Sequence, residues 1–272
     1  MDHASRISLL QNEAAAFEKA VRTALDPGGP APLVPSCPGW SVSDLVGHLG
    51  GVHRYLIRIL RERLTQAPDP SDLSLYGLPS APGELAAWPL PDRAPSLGPA
   101  PQGLTAWFAE GARGLADLFR ELGPDVPVWT WAPERTSGFW LRMQTIELAL
   151  HRWDAQSVAG AAAPLDPALA ADAVAQTFEV MAPARRGWRT APPGRGERYR
   201  FRLVDGPESW TVVFAGDAVR LEPDSTEPVD VEATGSASDL ALFLWGRLPD
   251  TALQVTGDPT RLQHYFTLVP PV

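Results

Sequence analysis

Nine of the 29 prolines in this 272-residue chain fall between residues 66 and 101. A segment so dense in residues without an amide proton cannot form a regular helix or a central strand. The fold must therefore be assembled from what lies on either side. Before the break, Leu10, Ala14, Phe17, Val21 and Leu25 recur at helical spacing over residues 7–25, which run into Asp26-Pro27-Gly28-Gly29-Pro30. A second helix is expected from Ser41, with Asp44 in the capping-box position, to about residue 64, along Val42, Leu45, Leu49, Val52 and Leu56. After the break, helical patterns cover about 104–122 and 139–159. Four helices with one long connection between the second and third predict an up-down bundle. The connection itself reads as a lid or binding loop, or as a surface insertion.

Beyond Pro164 the pattern changes. Asp166 can cap a helix over 167–181, and alternating strands follow at 199–204, 210–214 and 219–221, joined as a meander by turns at Asp205-Gly206-Pro207 and Gly216-Asp217. A strand at 229–234 and helices at 237–248 and 259–266, around a short strand at 253–255, complete the second half. The expected architecture is α+β with two domains: a four-helix bundle over residues 1–162 and a small α+β domain over 163–272.

Charge and composition narrow the function classes. A net charge of −9 argues against a nucleic-acid partner bound through bulk phosphate neutralisation. No window approaches 18 apolar residues, and the first 25 carry acids where a signal peptide has a basic start, so the expectation is a soluble, cytoplasmic protein with no membrane partner. One cysteine excludes a disulfide framework. Cys37 has no neighbouring histidine in sequence and reads as a packed small residue.

The chemistry concentrates in the fourth helix. Gln144, Glu147, His151 and Asp154 are spaced by three, four and three, which places them in one polar stripe beside the apolar stripe Met143, Ile146, Leu150 and Trp153. Glu147 and His151 can reach one ion, and a carboxylate with an imidazole suits zinc or another divalent transition metal. The second helix offers His48 and His53, five apart and so on different faces. His48, between Leu45 and Val52, is expected on the packed side, and His53 away from it. His48, Glu147 and His151 would give three ligands and an open position. Spacing alone also fits a solvated acid–imidazole pair and a hydrogen-bonded core histidine. Trp129, Trp131 and Trp140, with Gln144, are candidates to line a pocket. Asp154, one turn after His151, and Asp44, one turn before His48, are candidates to orient the ligands from behind. Arg198, Arg200 and Arg202 alternate with apolar residues and read as the solvated face of a half-buried strand.

Several segments carry a family resemblance: Val34-Pro35-Ser36-Cys37-Pro38-Gly39-Trp40-Ser41-Val42, Gly47-His48-Leu49, Trp129-Thr130-Trp131, Gly138-Phe139-Trp140 and Glu147-Leu148-Ala149-Leu150-His151-Arg152-Trp153-Asp154-Ala155. With Ala237-Ser238-Asp239-Leu240, Leu244-Trp245-Gly246-Arg247-Leu248 and Val255-Thr256-Gly257-Asp258, they occur in an order that resembles the mycothiol-dependent maleylpyruvate isomerase family. The resemblance implies a DinB-like metal-binding four-helix bundle followed by a C-terminal domain related to sterol carrier proteins. It implies that His48, Glu147 and His151 hold the metal, most simply Zn2+, and that mycothiol is the thiol cosubstrate.

The expected function is then a zinc-dependent enzyme that uses mycothiol as a metal-bound thiolate. It would carry out cis-trans isomerisation of, or S-transfer to, a small electrophilic unsaturated carbonyl compound, in primary or secondary metabolism. Arg247, in the C-terminal motif, is the first candidate for an anion contact. The partners expected are that electrophile and the thiol, with the chain a monomer or homodimer. The alternatives are a thiol-independent hydrolase, lyase or cyclase on the same triad, and a non-enzymatic carrier of an apolar ligand. The near-replacement of lysine by arginine, with Lys19 the only lysine, fits an actinobacterial source in which mycothiol is the expected thiol.

Overall fold

The structure, a computed structural model, describes residues 1–204, 206–222 and 225–271. The chain divides into two compact units, Met1–Ala163 and Pro164–Val272.

The first unit is built on four long helices: α1 (His3–Ala24), α2 (Val42–Glu62), α4 (Leu104–Leu122) and α5 (Ser137–Ser157), with a short α3 (Pro82–Ala87) between the second and third of them. α1 packs mainly on α5 and α4, and α2 on α4. Phe17, Leu45, Leu49, Phe108, Phe119 and Leu148 are fully buried between them. α2 starts on a complete capping box, Ser41 with Asp44. α5 starts two residues earlier than its apolar pattern indicates, because Thr136 Oγ1 accepts from Phe139 N and caps the helix there.

The proline-rich connection is more ordered than its composition predicts. It contains α3, whose Pro82 occupies the first turn, where a missing amide leaves no hydrogen bond unmade. It is also tied to the bundle as a strap: Ser96 N donates to Asp44 Oδ2 at 2.9 Å, Tyr55 Oη donates to Pro68 O, and Trp107 Nε1 donates to Tyr76 O. Two glycines of α2 explain how closely its neighbours lie, Gly47 for the strap and Gly50 for α4. A Cβ on Gly47 would come within 2.7 Å of Pro89 O, and one on Gly50 would penetrate the Trp107 ring. Trp107 in turn packs edge-on against buried Trp88 of the strap, with ring centroids 5.5 Å apart.

The second unit opens on α6 (Pro167–Gln176), which continues through a π-helical stretch (Thr177–Met181) into α7 (Ala182–Trp188). The helical run thus passes the expected end at residue 181. Pro183 cannot donate to the carbonyl one turn back, and the widened turn sits just before it.

Five strands follow: β1 (Gly194–Leu203), β2 (Ser209–Gly216), β3 (Ala218–Glu222), β4 (Val231–Gly235) and β5 (Gln254–Gly257), in the order β3-β2-β1-β4-β5. The first three form the antiparallel meander, but β4 lies parallel to β1 on its other side. The expected Asp205-Gly206-Pro207 turn includes Asp205, which lies outside the described residues. α8 (Ala237–Leu244) ends earlier than expected, where Gly246 takes a positive φ of 72°. α9 is Pro259–Leu268.

Tyr199 and Phe201 of β1 pack on Tyr265 of α9. The other face of β1 is not simply solvated. Arg198 pairs with Glu222 at 2.7 Å, and Arg200 and Arg202 both pair with Glu232. Among the described residues, no helix is long and apolar enough to cross a membrane.

Candidate metal centre

α5 is buried on nearly every side, and so is most of its polar stripe: Gln144 is 1% exposed, His151 8% and Asp154 0%, while the Glu147 side chain is 22% exposed. Arg152, on another side, is spent on Glu13 of α1 at 2.9 Å. α2 brings His48 to the stripe, with its Nε2 2.9 Å from Glu147 Oε1. The His48 and His151 rings meet edge to face, with centroids 5.2 Å apart. One donor atom each from His48, Glu147 and His151 lie within 4.8 Å of one another. Two imidazoles and a carboxylate so placed fit a divalent transition metal, most simply zinc, with coordination positions left over.

The electrostatics suit a cation. Burial pushes the Glu147 carboxyl up, but the hydrogen bond from His48, the positive potential of both histidines and the Gln144 amide outweigh it and hold the group at about 2. Glu147 is therefore an anion at neutral pH. Gln144 Nε2 donates to Glu147 Oε2, while Gln144 Oε1 is buried with no partner among the described residues. Behind His151, Asp154 Oδ2 accepts from Nδ1 at 2.8 Å. This is the arrangement in which a histidine keeps its proton on one nitrogen and offers the other to a metal.

The two histidines of α2 exchange the surroundings expected for them. His53 is 0% exposed and packs against Phe108, whereas the His48 side chain is 30% exposed. A period of 3.6 lies between steps of three and four, and the buried seam goes from Leu49 to His53, leaving Val52 half-buried. His48 thus borders the seam, which is what lets it face α5. Asp44 also differs from expectation. Its Oδ2 accepts from Ser41 N, Ser41 Oγ and Ser96 N, so it fastens the helix start and the strap and makes no hydrogen bond to His48.

Trp140 lies two turns before Glu147 on α5 and packs with Trp129 and Trp131, its Nε1 donating to Trp129 O. The indole against both histidines is Trp40, with centroids 5.0 Å from His48 and 6.2 Å from His151. Trp40 lies before the cap of α2, where helical spacing does not reach, so its place beside His48 had no periodic signal in the sequence. Ser36 and Cys37, which reach Asp154, gave none either. Arg247 lies in the second unit, where its Nη1 donates to Trp245 O at 2.7 Å.

With this geometry in hand, comparison with known proteins is decisive on kinship. The family model for the mycothiol maleylpyruvate isomerase N-terminal domain matches residues 10–156, and the model for the C-terminal domain of the same family matches residues 168–264. The chain belongs to the mycothiol maleylpyruvate isomerase family. Two solved structures share its fold. One is a mycothiol-dependent maleylpyruvate isomerase, 18% identical with a TM-score of 0.59, and the other is a histidine-to-alanine mutant of such an enzyme, 19% identical with the same TM-score. Each comparison covers 94% of this chain and 93% of the other. No curated protein matches the chain. The family's two domains thus account for both units, and the bundle carrying His48, Glu147 and His151 corresponds to its N-terminal domain.

Proposed function

We propose that this member of the family is a metal-dependent, mycothiol-using isomerase of a small cis-unsaturated carbonyl acid, with maleylpyruvate the first substrate to try. The observation that carries the reading is the convergence of His48, Glu147 and His151 in a chain whose two domains are those of the mycothiol maleylpyruvate isomerase family. A divalent ion there, zinc by the donor set, supplies positive charge that lowers the pKa of a thiol brought beside it.

The chain's own groups do the rest. Glu147 stays anionic, and Asp154 keeps the His151 proton on Nδ1. Trp40 walls one side of the histidine pair and limits the approach of water. The cosubstrate's thiolate adds to the activated cis double bond, rotation follows about the resulting single bond, and elimination returns the trans isomer and the thiolate. The enolate charge that develops needs a cation beside it. Retention of the adduct in place of elimination would make the same site an S-transferase, and product analysis separates the two.

The test is metal content of the purified protein, followed by mycothiol addition to cobalt-substituted protein. The expected result is about one equivalent of metal per chain, a thiol-dependent change in the cobalt absorption, and turnover that needs both. A metal-free protein indifferent to chelator would overturn the reading. Turnover without thiol would replace it with a hydrolase or lyase working through activated water.

A further inference from the structure

We propose that the turn at residues 34–41 is a positioning device for this centre: Ser36 and Cys37 clamp Asp154, Asp154 orients His151, and Trp40 of the same turn packs on both histidines. The inference rests on the reading of His48, Glu147 and His151 as ligands, and adds to it how two helices are held in register.

The turn is closed by three backbone hydrogen bonds: Cys37 N to Val34 O at 3.1 Å, Trp40 N to Cys37 O at 3.0 Å and Val34 N to Trp40 O at 2.9 Å. Gly39, at φ 83°, takes a backbone conformation that a residue with a side chain rarely adopts. Pro35 and Pro38 remove further freedom. Two sets of side chains leave this stiff unit. Ser36 Oγ donates to Asp154 Oδ1 at 2.6 Å, and Cys37 Sγ donates to Asp154 Oδ2 at 3.3 Å. Trp40 places its indole against His48 and His151.

Asp154 is 0% exposed, and a carboxylate there is tolerable only with donors on both oxygens. A carboxylate accepts only, so its contact with His151 Nδ1 requires the proton on that nitrogen, and in the neutral ring the lone pair is then on Nε2. If Ser36 and Cys37 stop donating, Asp154 can rotate and the choice of tautomer weakens. The turn ends at Ser41, the cap of α2, which carries His48. The same short segment thus joins the helix of one histidine to the carboxylate behind the other. Cys37 acquires a role that needs no covalent chemistry: a thiol donor on an interior carboxylate.

The experiment uses the full chain with Ser36→Ala, Cys37→Ala, both together, and Cys37→Ser, which keeps a donor. Side-chain nitrogen NMR of the metal-free protein reads the His151 tautomer, and chelator competition with the absorption spectrum of the cobalt form reads the metal. Wild type is expected to hold the Nδ1–H tautomer. The double variant is expected to mix tautomers and to bind cobalt about 10- to 100-fold more weakly, the usual cost of removing a partner behind a ligand. Cys37→Ser should stay near wild type. If the double variant does not fold, the single Ala variants are read in the same way. A variant that melts earlier but keeps the tautomer and the cobalt affinity overturns the proposal, because the turn would then only brace the fold. Wild type that binds no cobalt, while its tautomer still responds to the double substitution, supports the clamp and sinks the metal reading.

Discussion

α2 carries two histidines only five residues apart, in opposite situations. His48 is part-exposed and engaged, with Glu147 at 2.9 Å and the rings of Trp40 and His151 around it. His53 is sealed beside Phe108, with neither ring nitrogen partnered among the described residues. Burial pushes its pKa down to about 4; Glu147 pulls it up, but Arg54 and His48 add to the depression. The difference teaches that two histidines of one helix are sorted by what packs against the helix: the border position leaves part of the ring open to a neighbouring helix, and the seam position does not.

The contrast can be broken most sharply at the ligands. His151→Ala and His48→Ala should each lose metal by more than the roughly 100-fold typical of partners behind a ligand, with turnover falling alongside. His53→Phe should keep metal and thiol response. Chelator competition on the three proteins checks this, and metal loss in His53→Phe alone would reverse the assignment.

The next effect is on stability. The folded pKa of His53 lies below the ordinary 6.5, so the unfolded chain takes up the proton first, and stability present above pH 6.5 is lost as pH falls towards 4. The shift corresponds to about 3 kcal/mol in all. Urea unfolding of metal-free protein at several pH values should show wild type losing more stability over that window than His53→Phe. Equal losses would mean that His53 is not buried neutral.

Gly50→Ala tests the close approach of α4 to α2. Its methyl would have to displace the Trp107 ring, and overpacking of this kind costs about 1–3 kcal/mol, partly offset by the roughly 1 kcal/mol that alanine gains in a helix. A stabilised variant would show that the Trp107 ring does not seat against Gly50. The smallest effect is expected on the charged face of the second unit. Arg202 is largely in solvent, so Arg202→Ala should change stability by less than about 1 kcal/mol, and less still at high salt.

Much of the fold was legible in the sequence because helices announce themselves locally. The spacing of Leu10, Phe17 and Val21, the Ser41–Asp44 box and the stripe from Gln144 to Asp154 all follow from 3.6 residues per turn. The Glu147–His151 pair was visible for the same reason. The strap was harder: composition forbids regular structure over most of it but says nothing about Ser96 finding Asp44 or Pro89 finding Gly47. β4 entering parallel to β1 was invisible for a related reason, since pairing depends on partners far apart in the chain.

By itself, then, the sequence determined that four long helices form the first unit, which residues share a face, and the side-chain types that one helix can offer. Only the tertiary structure decided which of the two α2 histidines meets that helix, and that Ser36, Cys37 and Trp40 surround the result. The reason is physical. A step of three or four along a helix is nearly degenerate in energy until a neighbouring helix packs against it, and contacts between residues more than a hundred positions apart have no local signature at all.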